Sequence, residues 1–321
     1  MKLIATLPLL TLLTPLTQAW GEIGHRTIGY LAFRYLDPAG LALFNTLIQP
    51  DARFDISDGA VWADNQKWKW PWSKPWHYID AKDNPPSACS ITYNSDCPKD
   101  NGCIISAIKN FTARVNDPNL DAVQQGEALK FLLHFVGDVH QPLHTEDTCS
   151  GGNDIVVQWG GKKEKLHAVW DANIINKLLK YKKPRGDTNN VYDKFLSNGW
   201  ANTLFEDSES VDMAAECTDV TTPEKCSLDW AGGANKLICS YVLKGFTKSQ
   251  GTEDCPIWKG PSDASKEYYD GAVPLVKEQI KLAGARLGAW VNGLAAERAT
   301  MEKARLNSGG YLKTQGENSE L

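Results

Sequence analysis

The placement of six histidines constrains this chain most tightly, because five of them fall into patterns that bring imidazoles and carboxylates to common points. His134 and Asp138 are four residues apart in an amphipathic stretch, about 40° apart around a helix axis, and project from one face. His167 and Asp171 repeat that spacing further along. A single such pair is usually a surface hydrogen bond. Two of them on successive helices point to a metal centre, and a fold that serves it must turn the two faces toward each other. His140 lies about 240° around from His134, so it cannot share that point and is expected behind the site or on the surface. His144 follows Pro142, where the chain has left the helix and can turn back toward the pocket.

A second pattern lies at the start. Residues Met1 to Ala19 read as a secretory leader, with Lys2 as the basic end, Leu3 to Leu13 as the apolar run and Thr17-Gln18-Ala19 as the cleavage site. The mature chain is then expected to begin at Trp20, five residues before His25. A freed α-amino group and an imidazole can therefore reach one point, and leader removal becomes part of site assembly.

The rest reads as one compact, mainly α domain over residues 20–299. Helical periodicity runs over Glu22 to Leu36, Gly126 to His140, Leu166 to Lys180 and Pro274 to Ala296. Ile155 to Gly161 is the best candidate for a short hairpin strand. A Pro-, Asn-, Asp- and Ser-rich stretch from Asp80 to Gly102 reads as a surface loop pinned by cysteines. Residues 300–321, charged and containing Gly and Ser, are expected to form a disordered or removable tail. No second long apolar run suggests a membrane span.

The formal charge is −5, and −6 once Lys2 leaves with the leader. That argues against a broad basic groove holding nucleic acid by counterion release. Eight cysteines behind a leader imply up to four disulfides in an oxidising compartment. Asn110-Phe111-Thr112 is a glycosylation sequon.

Several short motifs carry a resemblance when taken together and in order. They are Trp20-Gly-x-x-Gly-His25, Trp62-Ala-Asp64, His77-Tyr-Ile-Asp80, His134-x3-Asp138-x-His-Gln-Pro-Leu-His144, Gly151-Gly-Asn153 and His167-x2-Trp-Asp171. Over about residues 20 to 295 the chain resembles the secreted S1/P1 nuclease family, which implies the helical phospholipase C/P1 nuclease type of fold. The resemblance implies three zinc ions: one held by Asp64, His77, His134 and Asp138, a second by His144, His167 and Asp171, and a third by Trp20, His25 and a shared oxygen of Asp138. It also implies that Asp64 orients the attacking water, that Lys67 serves the phosphate and that Asn153 contacts substrate. Tyr78 and Asp80 are expected to receive an unpaired base.

The implied activity is hydrolysis of single-stranded DNA and RNA to 5′-phosphorylated products, with 3′-nucleotides as further substrates, by a secreted monomer. A zinc phospholipase C shares the ligand pattern, and a secreted zinc-binding protein would explain the ligands but give Lys67 and Asn153 no role. For the cysteines, the resemblance implies Cys89 with Cys239 and Cys97 with Cys103. The other four lie outside its pattern; Cys217 with Cys226 and Cys149 with Cys255 is the expectation, with two other pairings open.

Overall fold

Acidic residues cap the two helices that carry the site's central donors. In the computed structural model, which describes residues 20–48, 54–207, 211, 216–247, 255–258, 260 and 263–316, the Gln124 amide donates to Asp121 at 2.8 Å. The Gln124 side chain accepts from the Asp121 amide at 3.2 Å. This reciprocal cap satisfies donors that a helix start leaves without partners, and opens the helix Ala122–Asp138. Asp55 and Asp58 form the same arrangement at the start of Ile56–Gln66. The expected leader, residues 1–19, lies outside the described residues.

The Glu22–Arg34 helix is central, packed against Ile56–Gln66, Val191–Glu206 and the long helix Glu267–Gly316. Ile28, Leu31 and Ala32 on it are buried in a core that includes Trp20, Trp170, Trp230 and Trp290. Burying four indoles gives a helical layer structure large apolar contact area without a sheet.

Strand structure is confined, among the described residues, to two antiparallel pairs: Val156–Trp159 with Lys162–Lys165, and the two-residue Phe246–Thr247 with Ile257–Trp258. Gly160 and Gly161 turn the first hairpin with φ of +59° and +78°, which a side chain would strain. Both their amides donate to Asp263 at 3.0 Å. The fold is mainly α, as expected.

Two expectations change. The C-terminal helix runs from Glu267 to Gly316 rather than over Pro274 to Ala296, so residues 300–316 of the expected tail are helical. Ala, Glu, Lys, Arg and Leu dominate residues 294–306, and these are strong helix formers even where residues 301–307 are exposed. After the first helix ends at Arg34, Pro38 begins the next, Pro38–Ile48, because a proline at the first helical position has no amide to lose.

Four disulfides tie the loops down: Cys89–Cys239, Cys97–Cys103, Cys149–Cys255 and Cys217–Cys226. No described helix is long and apolar enough to cross a membrane.

Candidate metal centre

Hydrogen bonding decides which nitrogen each histidine presents to the centre. The Nδ1–H groups of His134, His144 and His167 donate to the carbonyls of Ala60 at 2.6 Å, His77 at 2.7 Å and Gly151 at 2.6 Å. A carbonyl accepts only, so each ring must carry its proton on Nδ1 and leave an Nε2 lone pair free. That is how imidazoles are prepared to bind cations. His140 is wired the same way, to Val136 at 2.6 Å, but its Nε2 accepts from Arg286 at 2.7 Å. It is buried beside Trp230, not at the surface, and its lone pair is already used.

Three donors gather around His134 Nε2, and two overlapping groups able to hold a cation share it: His77 with Asp138, and His25 with Asp64. His134 Nε2 lies 3.4 Å from Asp64 Oδ1, 3.2 Å from Asp138 Oδ2 and 3.1 Å from His77 Nδ1. His77 Nδ1 is 2.8 Å from Asp138 Oδ2 and 3.8 Å from Asp64 Oδ1. Four donors around zinc at its usual bond lengths of about 2.0–2.1 Å are separated by about 3.3–3.4 Å. One shared proton cannot bridge four such atoms, so the set fits a cation.

Asp138 divides its oxygens. Oδ2 faces His77 and His134, while Oδ1 is 3.0 Å from His25 Nε2, where neither atom is aligned for a hydrogen bond. Gly137 makes this possible: a Cβ there would come within 2.8 Å of His25 Nδ1. His25 also stacks on His134 at 4.0 Å and lies within metal-sharing reach of Asp64, a neighbour the spacing did not suggest.

A third group joins His144, His167 and Asp171, with His167 Nε2 3.2 Å and His144 Nε2 3.9 Å from the carboxylate. Residues Val169–Asn173 are π-helical, a local widening often found at functional positions. Gln141 donates to Asp171 at 2.6 Å and so fixes its orientation; this support was not anticipated, although Gln141 sits inside the His134-to-His144 motif. The Gly21 amide donates to the Asp171 carbonyl at 2.7 Å, which anchors the fully buried Trp20 next to this helix.

The electrostatics suit cations. Burial and neighbouring charge hold His77 and His167 down at about 3, Lys67 adding to the effect at His77 and His144 at His167, so both stay neutral donors at pH 7. Burial would lower His134 too, but the Asp138 and Asp64 carboxylates push it up to about 10. Burial drives Asp171 well above the usual carboxylate range. In both, a proton stands where a metal ion would relieve the same charge.

Above these groups opens a cleft of about 410 Å³ whose lining includes Lys67, Tyr78, Asp80, His144, Asn153 and His167. Lys67 Nζ is 2.5 Å from Asp64 Oδ1. Asn153 donates to the Ser150 carbonyl at 2.8 Å, while its Oδ1 is buried without a partner. Lys74, Glu146 and Asp147 also line the cleft, without a motif in the sequence to mark them. Asn110 is exposed on the helix Ile104–Val115, away from the cleft residues.

Known proteins match this chain over nearly its whole length. The profile of the S1/P1 Nuclease family covers residues 20–296. Nuclease S1 of Aspergillus oryzae is 34% identical over 294 residues, 89% of this chain and 95% of that protein. Nuclease P1 of Penicillium citrinum is 33% identical over 281 residues, 85% and 97% of the two chains. Endonuclease 2 of Arabidopsis thaliana is 32% identical over 290 residues, 87% and 91%.

Proposed function

The chain belongs to the S1/P1 nuclease family, and from that premise we propose that it is a secreted, monomeric, zinc-dependent endonuclease acting on single-stranded DNA and RNA. The observation that carries the reading is the convergence of Asp64, His77 and Asp138 on His134 Nε2, beside a cleft lined by Lys67, Tyr78, Asp80 and Asn153. Three zinc ions are assigned to Asp64, His77, His134 and Asp138; to His144, His167 and Asp171; and to Trp20, His25 and the second oxygen of Asp138. When bound, zinc supplies Lewis acidity toward phosphate oxygens and makes water a better nucleophile at neutral pH.

The chain's own groups do the rest. Asp64, held ionised, orients the water by accepting its hydrogen bond. Lys67 sets an ammonium beside the same carboxylate, where it balances the charge that grows on the phosphate as the P–O3′ bond breaks. The products carry a 5′-phosphate and a 3′-hydroxyl. A 3′-nucleotide presents the same P–O3′ bond, so one site performs both reactions.

Tyr78, 38% exposed, offers a ring to an unpaired base. Asp80 is pushed up to about 6, chiefly by burial and then by Asp147, and above that pH its carboxylate accepts from a base edge. Asn153 Oδ1 supplies a further acceptor. A base stacked inside a duplex cannot enter such a cleft.

The test is metal analysis with cleavage assays on single-stranded and duplex DNA, before and after chelation. Three zinc ions per chain, loss of single-strand cleavage on chelation and recovery with zinc are expected. Release of phosphocholine from lecithin without cleavage of DNA would transfer the site to lipid chemistry.

A further inference from the structure

Between Asp64 and His77 the chain reads Asn-Gln-Lys-Trp-Lys-Trp-Pro-Trp-Ser-Lys-Pro-Trp, a basic and aromatic alternation that the hydrolytic site leaves unused beyond Lys67. Pro71–His77 folds as a 3-10 helix, held by Pro71, Pro75 and the buried Ser73, whose hydroxyl donates to the Trp70 carbonyl at 2.8 Å. The inner part is core: Trp70 packs edge-on against Trp62 at 5.4 Å, and Trp76 donates to the Asn101 carbonyl at 2.7 Å.

The outer part is not. Trp68 is 68% exposed and Trp72 is 52% exposed, although indole is among the most costly surfaces to leave in water. Trp72 stands stacked on Trp70 at 5.9 Å and 24°, and Lys74 lies 5.4 Å above the Trp68 ring. These contacts hold two aromatic faces in place on a rigid element. Lys67 and Lys74 line the cleft, so the strip begins at its wall.

We propose that Trp68 and Trp72, with Lys69 and Lys74, form a subsite for the polynucleotide strand outside the cleft, stacking bases that lie beyond the one held at Tyr78. The inference rests on the nuclease reading and deepens it: the chain favours long single strands over short substrates. Two observations select a nucleic acid over a neutral glycan, which also stacks on exposed tryptophan. Three lysines interleave the rings in a chain of net charge −5, and the strip is continuous with the cleft. Stacking tolerates any base, and the lysines follow the backbone.

The experiment compares KM and kcat of the zinc-loaded parent, Trp68→Ala, Trp72→Ala and the double variant on two substrates, a dinucleotide and a single-stranded oligonucleotide long enough to cover roughly 4–16 nucleotides. Each ring should account for roughly a tenfold rise in KM on the long strand, with the dinucleotide KM, kcat, zinc content and melting temperature unchanged. Phenylalanine in place of alanine should restore most of the effect. Lys69→Gln should lower the slope of log KM against log salt by about 0.7 on the long strand.

Equal shifts on both substrates, or none on the long one, overturn the subsite. Binding of a neutral soluble glucan that the double variant loses, with oligonucleotide KM intact, reassigns the strip to carbohydrate. An inactive parent sinks the nuclease reading itself, whereas an active parent with unshifted variants sinks only the strip.

Discussion

The bottom of the cleft and its walls are built by opposite means. At the bottom, His25, Asp64, His134, Asp138, His167 and Asp171 stand on helical segments and are buried; backbone carbonyls set the tautomers of His134 and His167, and the Asp138 and Asp171 carboxylates are each shared between imidazoles. On the walls, Tyr78, Asp80 and Asn153 lie on loops and turns and are partly exposed. A cation site needs donors converging within a few tenths of an ångström, which rigid helices provide. A strand of varying sequence needs surfaces that accept many bases. Substitutions at the bottom should therefore change metal content and turnover, those at Tyr78, Asp80 and Asn153 should change KM, and Lys67, a wall residue that touches Asp64, should change turnover without changing metal content.

The largest expected effect is Asp138→Asn, because one carboxylate serves two donor groups and an amide supplies neither its charge nor its second oxygen. Zinc content should fall by more than one ion, and kcat should drop on the order of 10³-fold or more. Full zinc occupancy with normal turnover would break the distinction at its strongest point.

Lys67→Ala should lower kcat by about 10²–10³-fold with zinc retained, since the ammonium stabilises charge without binding metal. Loss of metal would move Lys67 from the wall into the metal centre. Asp80→Ala should raise KM for single-stranded oligonucleotides roughly tenfold with kcat and zinc unchanged. A fall in kcat alone would erase the boundary between wall and bottom.

Acid should act on the bottom through its neutral imidazoles. His77 and His167 have folded-state pKa values depressed to about 3, below the ordinary 6.5. The unfolded chain therefore takes up protons that the folded chain refuses, and their stabilising contribution, complete above pH 6.5, is lost as pH falls toward 3. The melting temperature of chelated protein should drop across that window; a flat profile would contradict the buried, neutral imidazoles.

The smallest effect on rate belongs to His140→Ala. Arg286 would keep Glu216 but lose its second acceptor, and the buried Val136 carbonyl would lose its donor, at a cost of about 1–3 kcal/mol in stability. Turnover per folded, zinc-loaded molecule should be unchanged. A lost metal ion would show that His140 reaches the centre after all.

Much of this was legible in the chain because it is local. The four-residue spacing in His134 and Asp138, and again in His167 and Asp171, follows from helix geometry, and the helical segments themselves follow from apolar periodicity and proline. Residues 300–316 show where composition falls short: their polar, Gly- and Ser-containing sequence suggests a tail, whereas the helix-forming residues 294–306 carry on a helix already started by a packed segment.

What the sequence alone determined, then, is the local chemistry: which side chains can share a helix face, where helices can start, and that an even set of cysteines can close. Tertiary structure alone decided the matters of proximity between distant residues. It joined Cys149 to Cys255 across 106 residues, when three pairings of the last four cysteines were open. It split the two oxygens of Asp138 between His25 and the His77–His134 pair, and it separated His140 from His134 by giving its free nitrogen to Arg286. Spacing along a chain constrains atoms only within a few turns; beyond that, packing of the helices sets the distances on which metal binding depends.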